Sequence, residues 1–259
     1  MTSLAAAAAV YAGSTAAVKV YAGVTEVWTA EGEPPAPTGV QHIASAVAAV
    51  GTASARVTVP STVEAGDLLV IGCSATASSG SWINGALAAV GAPGVTFTKI
   101  TSAVNGVSRA MSFWWAEWPD GTSRDVTING DTLGTSSNGR AFCSVLRGAD
   151  LADPIGTLSA PASVASNLEQ AAPSLADILA GSVSFAAIMT NDDNTLTGPA
   201  ESGWELIASA NVGSTLAVAF ALKEHEAAGS SGTATFTQTT NGPDAGFVCA
   251  FAINPEPTP

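Results

Sequence analysis

Ser108-Arg109-Ala110-Met111-Ser112-Phe113-Trp114-Trp115-Ala116-Glu117-Trp118 is the stretch on which the fold turns, because the chain repeats its plan at Ser214-Thr215-Leu216-Ala217-Val218-Ala219-Phe220-Ala221-Leu222-Lys223. Both are long apolar runs rich in residues that favour strands, and other segments recur around them in the same order. Gly66-Asp67-Leu68-Leu69-Val70 is answered by Gly181-Ser182-Val183-Ser184-Phe185, and Phe97-Thr98-Lys99-Ile100-Thr101-Ser102-Ala103 by Trp204-Glu205-Leu206-Ile207-Ala208-Ser209-Ala210. Val126-Thr127-Ile128 matches Ala234-Thr235-Phe236, and Phe142-Cys143-Ser144-Val145 matches Val248-Cys249-Ala250-Phe251. The offset stays near 106 (Cys143 against Cys249, Ser108 against Ser214) and drifts only across loops. The repeat spans about residues 66–150 and 181–254.

Short apolar runs separated by Gly, Asn, Asp and Ser clusters predict an all-β chain. Arg56-Val57-Thr58-Val59 and Asp125-Val126-Thr127-Ile128 are further strands of this kind. Helical periodicity is scarce; Leu168 to Leu179 leaves room for a helical turn or two, interrupted by Pro173. Two similar halves, each with a hydrophobic face to cover, are expected to pack as one jelly-roll-like sandwich over residues 40–254. The alternative is two small sandwiches in tandem. One is preferred, because each half offers only about five recognisable strands and no proline-rich linker divides them.

Composition narrows the function. The chain has 259 residues, 8 Lys plus Arg, 21 Asp plus Glu and a net charge of -13. Hydrophobic residues make up 47% and charged residues 11%, enough apolar material for a real core, so wholesale disorder is excluded. The pI near 4.2 leaves no basic stripe to neutralise phosphates, which argues against a nucleic-acid partner. Mean hydropathy is +0.33, yet the longest apolar runs, such as Leu4 to Ala12, fall short of the roughly 18 residues of a membrane span. No Lys or Arg precedes Ala5 to Ala9, so a secretory signal is not expected. Cys73, Cys143 and Cys249 are scattered and read as small buried hydrophobes in a reducing compartment, not as a disulfide framework or a zinc site.

Residues 1–30 are organised differently. Val10-Tyr11-Ala12-Gly13 recurs as Val20-Tyr21-Ala22-Gly23 and runs on into Glu26-Val27-Trp28. β-branched and aromatic residues punctuated by glycine predict a small β-hairpin or meander over 10–28, too small to be stable alone and therefore built to dock. Glu31-Gly32-Glu33-Pro34-Pro35-Ala36-Pro37-Thr38-Gly39 is a semi-rigid linker over 31–39, and Pro255 to Pro259 forms a short tail.

Catalytic signatures are few. His42 and His225 are the two histidines, and no Gly-x-Ser-x-Gly accompanies them, so both read as surface or interface residues. Glu117 is the best single acid for a glycan hydrolase, on one strand face with Phe113 and Trp115 while Trp114, Ala116 and Trp118 share the other. Its repeat partner at an offset of 106 is Lys223, so the symmetry supplies no second acid. Asn191-Asp192-Asp193-Asn194 gathers oxygen ligands for a calcium ion, but it lacks EF-hand spacing and reads better as a turn. Trp82, Trp118, Trp204 and Tyr21 are possible sugar platforms; Trp204 aligns with Phe97 and fits a core better. Trp82, between Gly80-Ser81 and Asn84-Gly85, is the aromatic placed in a loop and the candidate ligand contact. No phosphate loop, zinc-binding helix signature or dinucleotide fingerprint is present, and no enzyme activity, cofactor or metal is expected.

The segment Val10 to Trp28 resembles the N-terminal part of virion proteins of tailed phages that infect actinobacteria, commonly labelled minor tail proteins. In these a Tyr-x-Gly…Val-Tyr-x-Gly…Val-Trp segment precedes a proline-rich linker and an Ala/Gly/Thr-rich β-domain, the order seen here. The resemblance implies a structural virion protein, made in the bacterial host cytoplasm, with a minor tail or tail-tip position. Val10, Tyr11, Gly13, Val18, Val20, Tyr21, Gly23, Val27 and Trp28 would anchor it to other virion proteins. The sandwich would be displayed and contact host cell-wall glycan. Many copies, as a homo-oligomer and in the form of a trimer, would suit such a particle. A capsid decoration protein is the alternative of the same kind, and a carbohydrate-binding module the alternative of another.

Overall fold

The structure, a computed structural model, describes residues 19–22, 25–29, 39–50, 54–76, 87–89, 95–105, 109–129, 139–191, 194–201, 203–212, 216–239 and 243–257. The chain divides into two units, Met1–Thr38 and Gly39–Pro259.

In the first unit β1 (Lys19–Ala22) and β2 (Thr25–Thr29) form a two-stranded antiparallel sheet. Val20 is in register with Trp28 and Tyr21 with Glu26, with an irregularity between Val20 and Tyr21. Strand-favouring Val20, Tyr21, Val27 and Trp28 lie on either side of Gly23, which suits such a pairing.

The second unit is all-β. Its first half contains β3 (Gln41–Val50), β4 (Ser54–Thr58), β5 (Leu68–Thr76), β6 (Leu87–Ala89), β7 (Thr98–Asn105), β8 (Arg109–Glu117), β9 (Asp125–Asn129) and β10 (Gly139–Arg147). They form an eight-stranded antiparallel sheet in the order β6-β9-β4-β3-β10-β5-β8-β7. The second half contains β11 (Ile155–Val164), β12 (Glu169–Ala172), β13 (Val183–Asn191), β14 (Leu196–Thr197), β15 (Glu205–Val212), β16 (Leu216–Glu224), β17 (Ala234–Gln238) and β18 (Gly246–Ile253). These make a five-stranded sheet, β11-β18-β13-β16-β15, and a three-stranded sheet, β12-β17-β14. Replacing β3 to β10 by β11 to β18 one for one turns the first order into the second. The single difference is that β3 and β4 still join, at one pair, Val50 with Ala55.

Three apolar cores show how these sheets stack. Val57, Val126 and Ile128 from β4 and β9 pack with Leu69, Ile71, Cys73, Trp114, Cys143 and Val145 of β5, β8 and β10, so the eight-stranded sheet folds over and covers its own outer face. Phe236, Ala234 and Ala172 from β17 and β12 pack in the same way with Ile188, Ala219 and Ala250 of the five-stranded sheet. The third core lies between the halves. Phe113 and Phe142 of the first meet Phe185, Phe220 and Phe251 of the second, with ring centroids 4.2 Å apart for Phe142 and Phe220 and 5.3 Å for Phe113 and Phe251. The all-β, sandwich-like fold expected is what the structure shows, and within it each half has a core of its own while the two larger sheets share a third. The eight strands per half, rather than about five, make this possible, because each half has enough strands for a second layer.

The duplication extends to detail. β7 carries a bulge between Lys99 and Thr101, and β15 carries one between Leu206 and Ala208. The turns before β5 and β13 match bond for bond. Gly66 N–H donates to Trp118 O at 2.8 Å as Gly181 N–H does to His225 O at 2.6 Å, and both glycines have positive φ, 86° and 80°. Trp118 N–H donates to Asp67 O at 2.8 Å and His225 N–H to Ser182 O at 2.9 Å.

These equivalences fix the offset of β8 and β16 at 107, not 106: Phe113 answers Phe220, and the partner of Glu117 is Glu224, which sits opposite Val183 as Glu117 sits opposite Leu68. The same correction applies to β10 and β18. Cys143 faces the first half's own core while Cys249 faces the shared one, so they are not equivalent. A one-residue slip moves a side chain to the opposite sheet face, which is why the burial pattern settles the register. Leu168 to Leu179 holds no helical turn; β12 runs to Ala172 and a turn follows Pro173.

Candidate functional site

The alternation expected of the aromatic strand is what β8 displays. Met111 and Phe113 lie in the shared core, with partly buried Trp115 packed against it, and Ala110 and Trp114 point into the first half's own core. Two residues past Trp115 on the same face, Glu117 emerges into solvent. Thr98 of β7 is directly opposite Trp115 in the ladder, so its side chain joins the same face. Where this face reaches the end of the sheet it forms an open cleft of about 510 Å³ lined by Val95, Thr96, Thr98, Trp115, Glu117, Pro119 and Leu151. Leu151 belongs to the segment joining the halves, and it also packs against the shared core. Among the described residues the Glu117 carboxylate has no hydrogen-bonding or ionic partner.

The equivalent position in the second half is built differently, with a buried Leu222 beside exposed Glu205 and Glu224. Leu222 stands in the place of Trp115 and is 3% exposed, Glu205 in that of Thr98 and Glu224 in that of Glu117. The segment entering β3 lies against them. Val40 N–H donates to Gly181 O at 2.6 Å, and His42 N–H donates to Glu224 Oε1 at 3.0 Å. Burial holds the His42 pKa below the usual histidine value, although Glu205 and Glu224 pull the other way. Gly39 makes this close approach feasible, since a Cβ there would sit 2.6 Å from Gly181 Cα. The two related positions thus differ in two ways: a buried Leu222 stands where Trp115 is partly exposed, and the exposed Glu224 carboxylate accepts a backbone N–H.

The other sequence candidates fall away from any cleft. Trp118 is fully buried; its indole N–H donates to Thr122 O at 3.1 Å and the Arg124 guanidinium lies 5.7 Å from the ring centre. Trp204 is 9% exposed and belongs to the second half's core, so neither indole is a surface platform. His225 is 8% exposed and its Nε2 lies 2.9 Å from Ser184 Oγ. Burial, reinforced by Lys223, lowers its pKa. His225 is thus an interior residue, and His42 is partly buried where the two halves meet. Asn194 is buried and its amide donates to the Asp244 carboxylate, while Asp192 and Asp193 lie outside the described residues. Among the described residues no group of three or more His, Cys, Asp or Glu is placed to hold a metal ion.

Of the anchoring candidates, Val20 and Tyr21 lie on β1 and Val27 and Trp28 on β2. Val10, Tyr11, Gly13, Val18, Gly23 and the loop candidate Trp82 lie outside the described residues. The cysteines are free and buried, and burial alone pushes the Cys73 and Cys249 thiols up to about 12, leaving no reactive thiolate at neutral pH.

Sequence reasoning singled out Glu117 but did not place Trp115 beside it in a cleft. The signal present was the period-two spacing of Trp115 and Glu117. What it lacked was the placement of Val95, Thr96 and Leu151, which come from outside the strands. Chemically the cleft offers one indole, one carboxylate and two hydroxyls. Glu117 is the acid among the described lining residues. Comparison with known protein families, curated proteins and solved structures returns no match. Among the described residues no helix is long and apolar enough to cross a membrane.

Proposed function

We propose that this chain is a structural component of a tailed-phage virion, a minor tail or tail-tip protein. Residues 10–28 attach it to neighbouring virion proteins, and residues 40–254 are displayed. The observation that carries the reading is the tandem Val-Tyr-Ala-Gly segment ending at Trp28, followed by the proline-rich stretch 31–39. The division of the chain into units at Thr38 and Gly39, at the end of that stretch, fits an attachment piece joined to a separate body. A two-stranded sheet such as β1–β2 is only marginally stable by itself and gains by adding to the sheet edge of a partner. The acidic, Lys-poor surface of the body suits a soluble displayed domain.

The test is electron microscopy of particles of a phage encoding this chain, labelled with an antibody against residues 40–254. Label at the tail end is the expected result. Label spread over the head would replace the tail position by capsid decoration, and particles without label would overturn the virion reading. Deleting residues 1–33 should abolish incorporation; a truncated chain that still joins particles would overturn the anchoring role.

A further inference from the structure

We infer that the Trp115–Glu117 cleft binds a neutral or amino-bearing saccharide. The inference goes beyond the virion reading and does not depend on it. At about 510 Å³ the cleft falls within the size range of small-molecule sites, and it is open enough for one or two rings of a longer chain to lie across it. Trp115 is held from behind by the shared core and partly exposed in front, giving a rigid flat apolar surface of the kind that takes the C–H face of a pyranose. Around it the Thr96 and Thr98 hydroxyls donate and accept, and the Glu117 carboxylate accepts two hydrogen bonds from adjacent sugar hydroxyls or an amino group. Apolar Val95, Pro119 and Leu151 complete a lining that alternates flat apolar and hydroxyl-bonding surface, which matches a sugar and not a hydrocarbon.

Charge selects within that class. Among the described residues the lining includes an acid and no cation, and the chain carries a net charge of -13. A uronate, sialate or phosphate-bearing glycan would meet repulsion there with nothing to offset it. With one carboxylate among the described lining residues, the site is suited to holding a sugar and not to cleaving it.

The related position of the second half strengthens the assignment. There Leu222 is buried, and the exposed Glu224 carboxylate accepts the His42 backbone N–H. At the first position a partly exposed Trp115 replaces Leu, and among the described residues Glu117 has no such partner. An indole face open to solvent and an unpartnered acid are not what packing favours.

The test uses the purified full-length chain, titrated calorimetrically with chitotetraose, cellotetraose, mannotetraose and tetragalacturonate. At least one neutral or acetamido tetramer should bind saturably, and tetragalacturonate should bind more weakly than it. Trp115→Ala should weaken that binding about tenfold or more, and Glu117→Ala, whose parent side chain is exposed and whose loss leaves folding intact, about tenfold. His42→Ala, at the related position of the second half, should leave it unchanged. No saturable binding tighter than about 10 mM, preference for the uronate, or Glu117→Ala binding like the parent would each overturn the assignment.

Discussion

The two halves of residues 39–257 share strand order, bulges and turns, yet they distribute large and small side chains in opposite ways. The first half fills its own core with Trp114, Trp118, Leu69 and Ile71, and it fixes the start of β5 by a two-pronged ion pair in which the Arg147 Nε lies 2.9 Å from Asp67 Oδ1 and Nη2 3.0 Å from Oδ2. The second half lines its own core largely with alanine (172, 186, 217, 219, 221, 234, 250 and 252) and turns Phe185, Phe220, Phe247 and Phe251 toward the first. At the sites of Asp67 and Arg147 it has Ser182 and Asn254. Strand order is thus kept by the backbone ladders, while the side chains decide which face of each sheet contributes most of the apolar contact.

That comparison breaks most visibly at the shared core. Phe220 is 1% exposed and meets both Phe113 and Phe142. Phe220→Ala should lower stability by about 3–5 kcal/mol, the range for emptying a buried aromatic site. Because Trp114 and Trp118 belong to the first half, their fluorescence should report the loss although the change is in the second. A tryptophan transition that stays where it was in denaturant would mean that the halves unfold independently.

Next in size is a pair of glycines at equivalent places. A Cβ on Gly139, the first residue of β10, would lie 2.2 Å from Ser74 O, and one on Gly246, the first of β18, 2.0 Å from Met189 O. Both clash with backbone of the neighbouring strand and not with a movable side chain. Gly139→Ala and Gly246→Ala should each destabilise by about 1–3 kcal/mol or more, measured by thermal unfolding. If only one of the two does so, the equivalence of β10 and β18 at an offset of 107 fails.

The ion pair sharpens the difference between halves. Asp67 is 2% exposed and Arg147 about a third, so removal of the acid leaves the guanidinium to water and to the more exposed Glu64, 3.1 Å away. Asp67→Ser, which installs the residue of the second half, should cost about 1–3 kcal/mol, below the 3–5 expected of a fully buried pair. Adding Arg147→Asn should recover part of that loss, and a double-mutant cycle reads the coupling. Strict additivity of the two changes would show that the pair does not act as a unit.

Much of this plan was legible in the residues, and the losses have physical causes. β5, β8 and β10 declare themselves because Val, Leu, Ile, Phe and Trp dominate them. β3 (QHIASAVAAV) is diluted by four alanines and a serine, and β11 (IGTLSAPASV) by Ala, Ser, Gly and Pro, which carry little strand preference. They form because neighbouring strands supply the ladder, and Pro161 is tolerated because β11 lies at the sheet edge. The second layers were hidden for another reason: β6, β12 and β14, which complete them, run to only three, four and two residues. Aligning Cys143 with Cys249 slipped two strands by one residue, although Phe113 and Phe220 at 107 already carried the correct spacing. The face shared by Trp115 and Glu117 follows from period two alone; the cleft does not, since its other walls come from outside the strands.

The smallest expected effect separates Trp118 from its counterpart His225, since only one of them titrates. The His225 pKa is lowered first by burial and then by Lys223, and that of His42 by burial. A histidine whose folded pKa lies below its unfolded value near 6.5 binds its proton first in the unfolded chain, so acid favours unfolding. Stability should therefore be complete above about pH 7 and fall as the pH drops through 6.5 towards the lowered folded values. Glu201 and Asp120 titrate lower. Burial opposes ionisation of Glu201, but hydrogen bonds from Thr235 outweigh it and hold the group below the usual glutamate value. Asp120 sits at about 2 through its bonds with Arg124 and Thr122. Melting temperatures taken between pH 7.5 and 5 should decline in the parent and decline less in His225→Gln. An unchanged slope would assign the acid sensitivity to His42, and to the contact between the halves instead of the interior of the second.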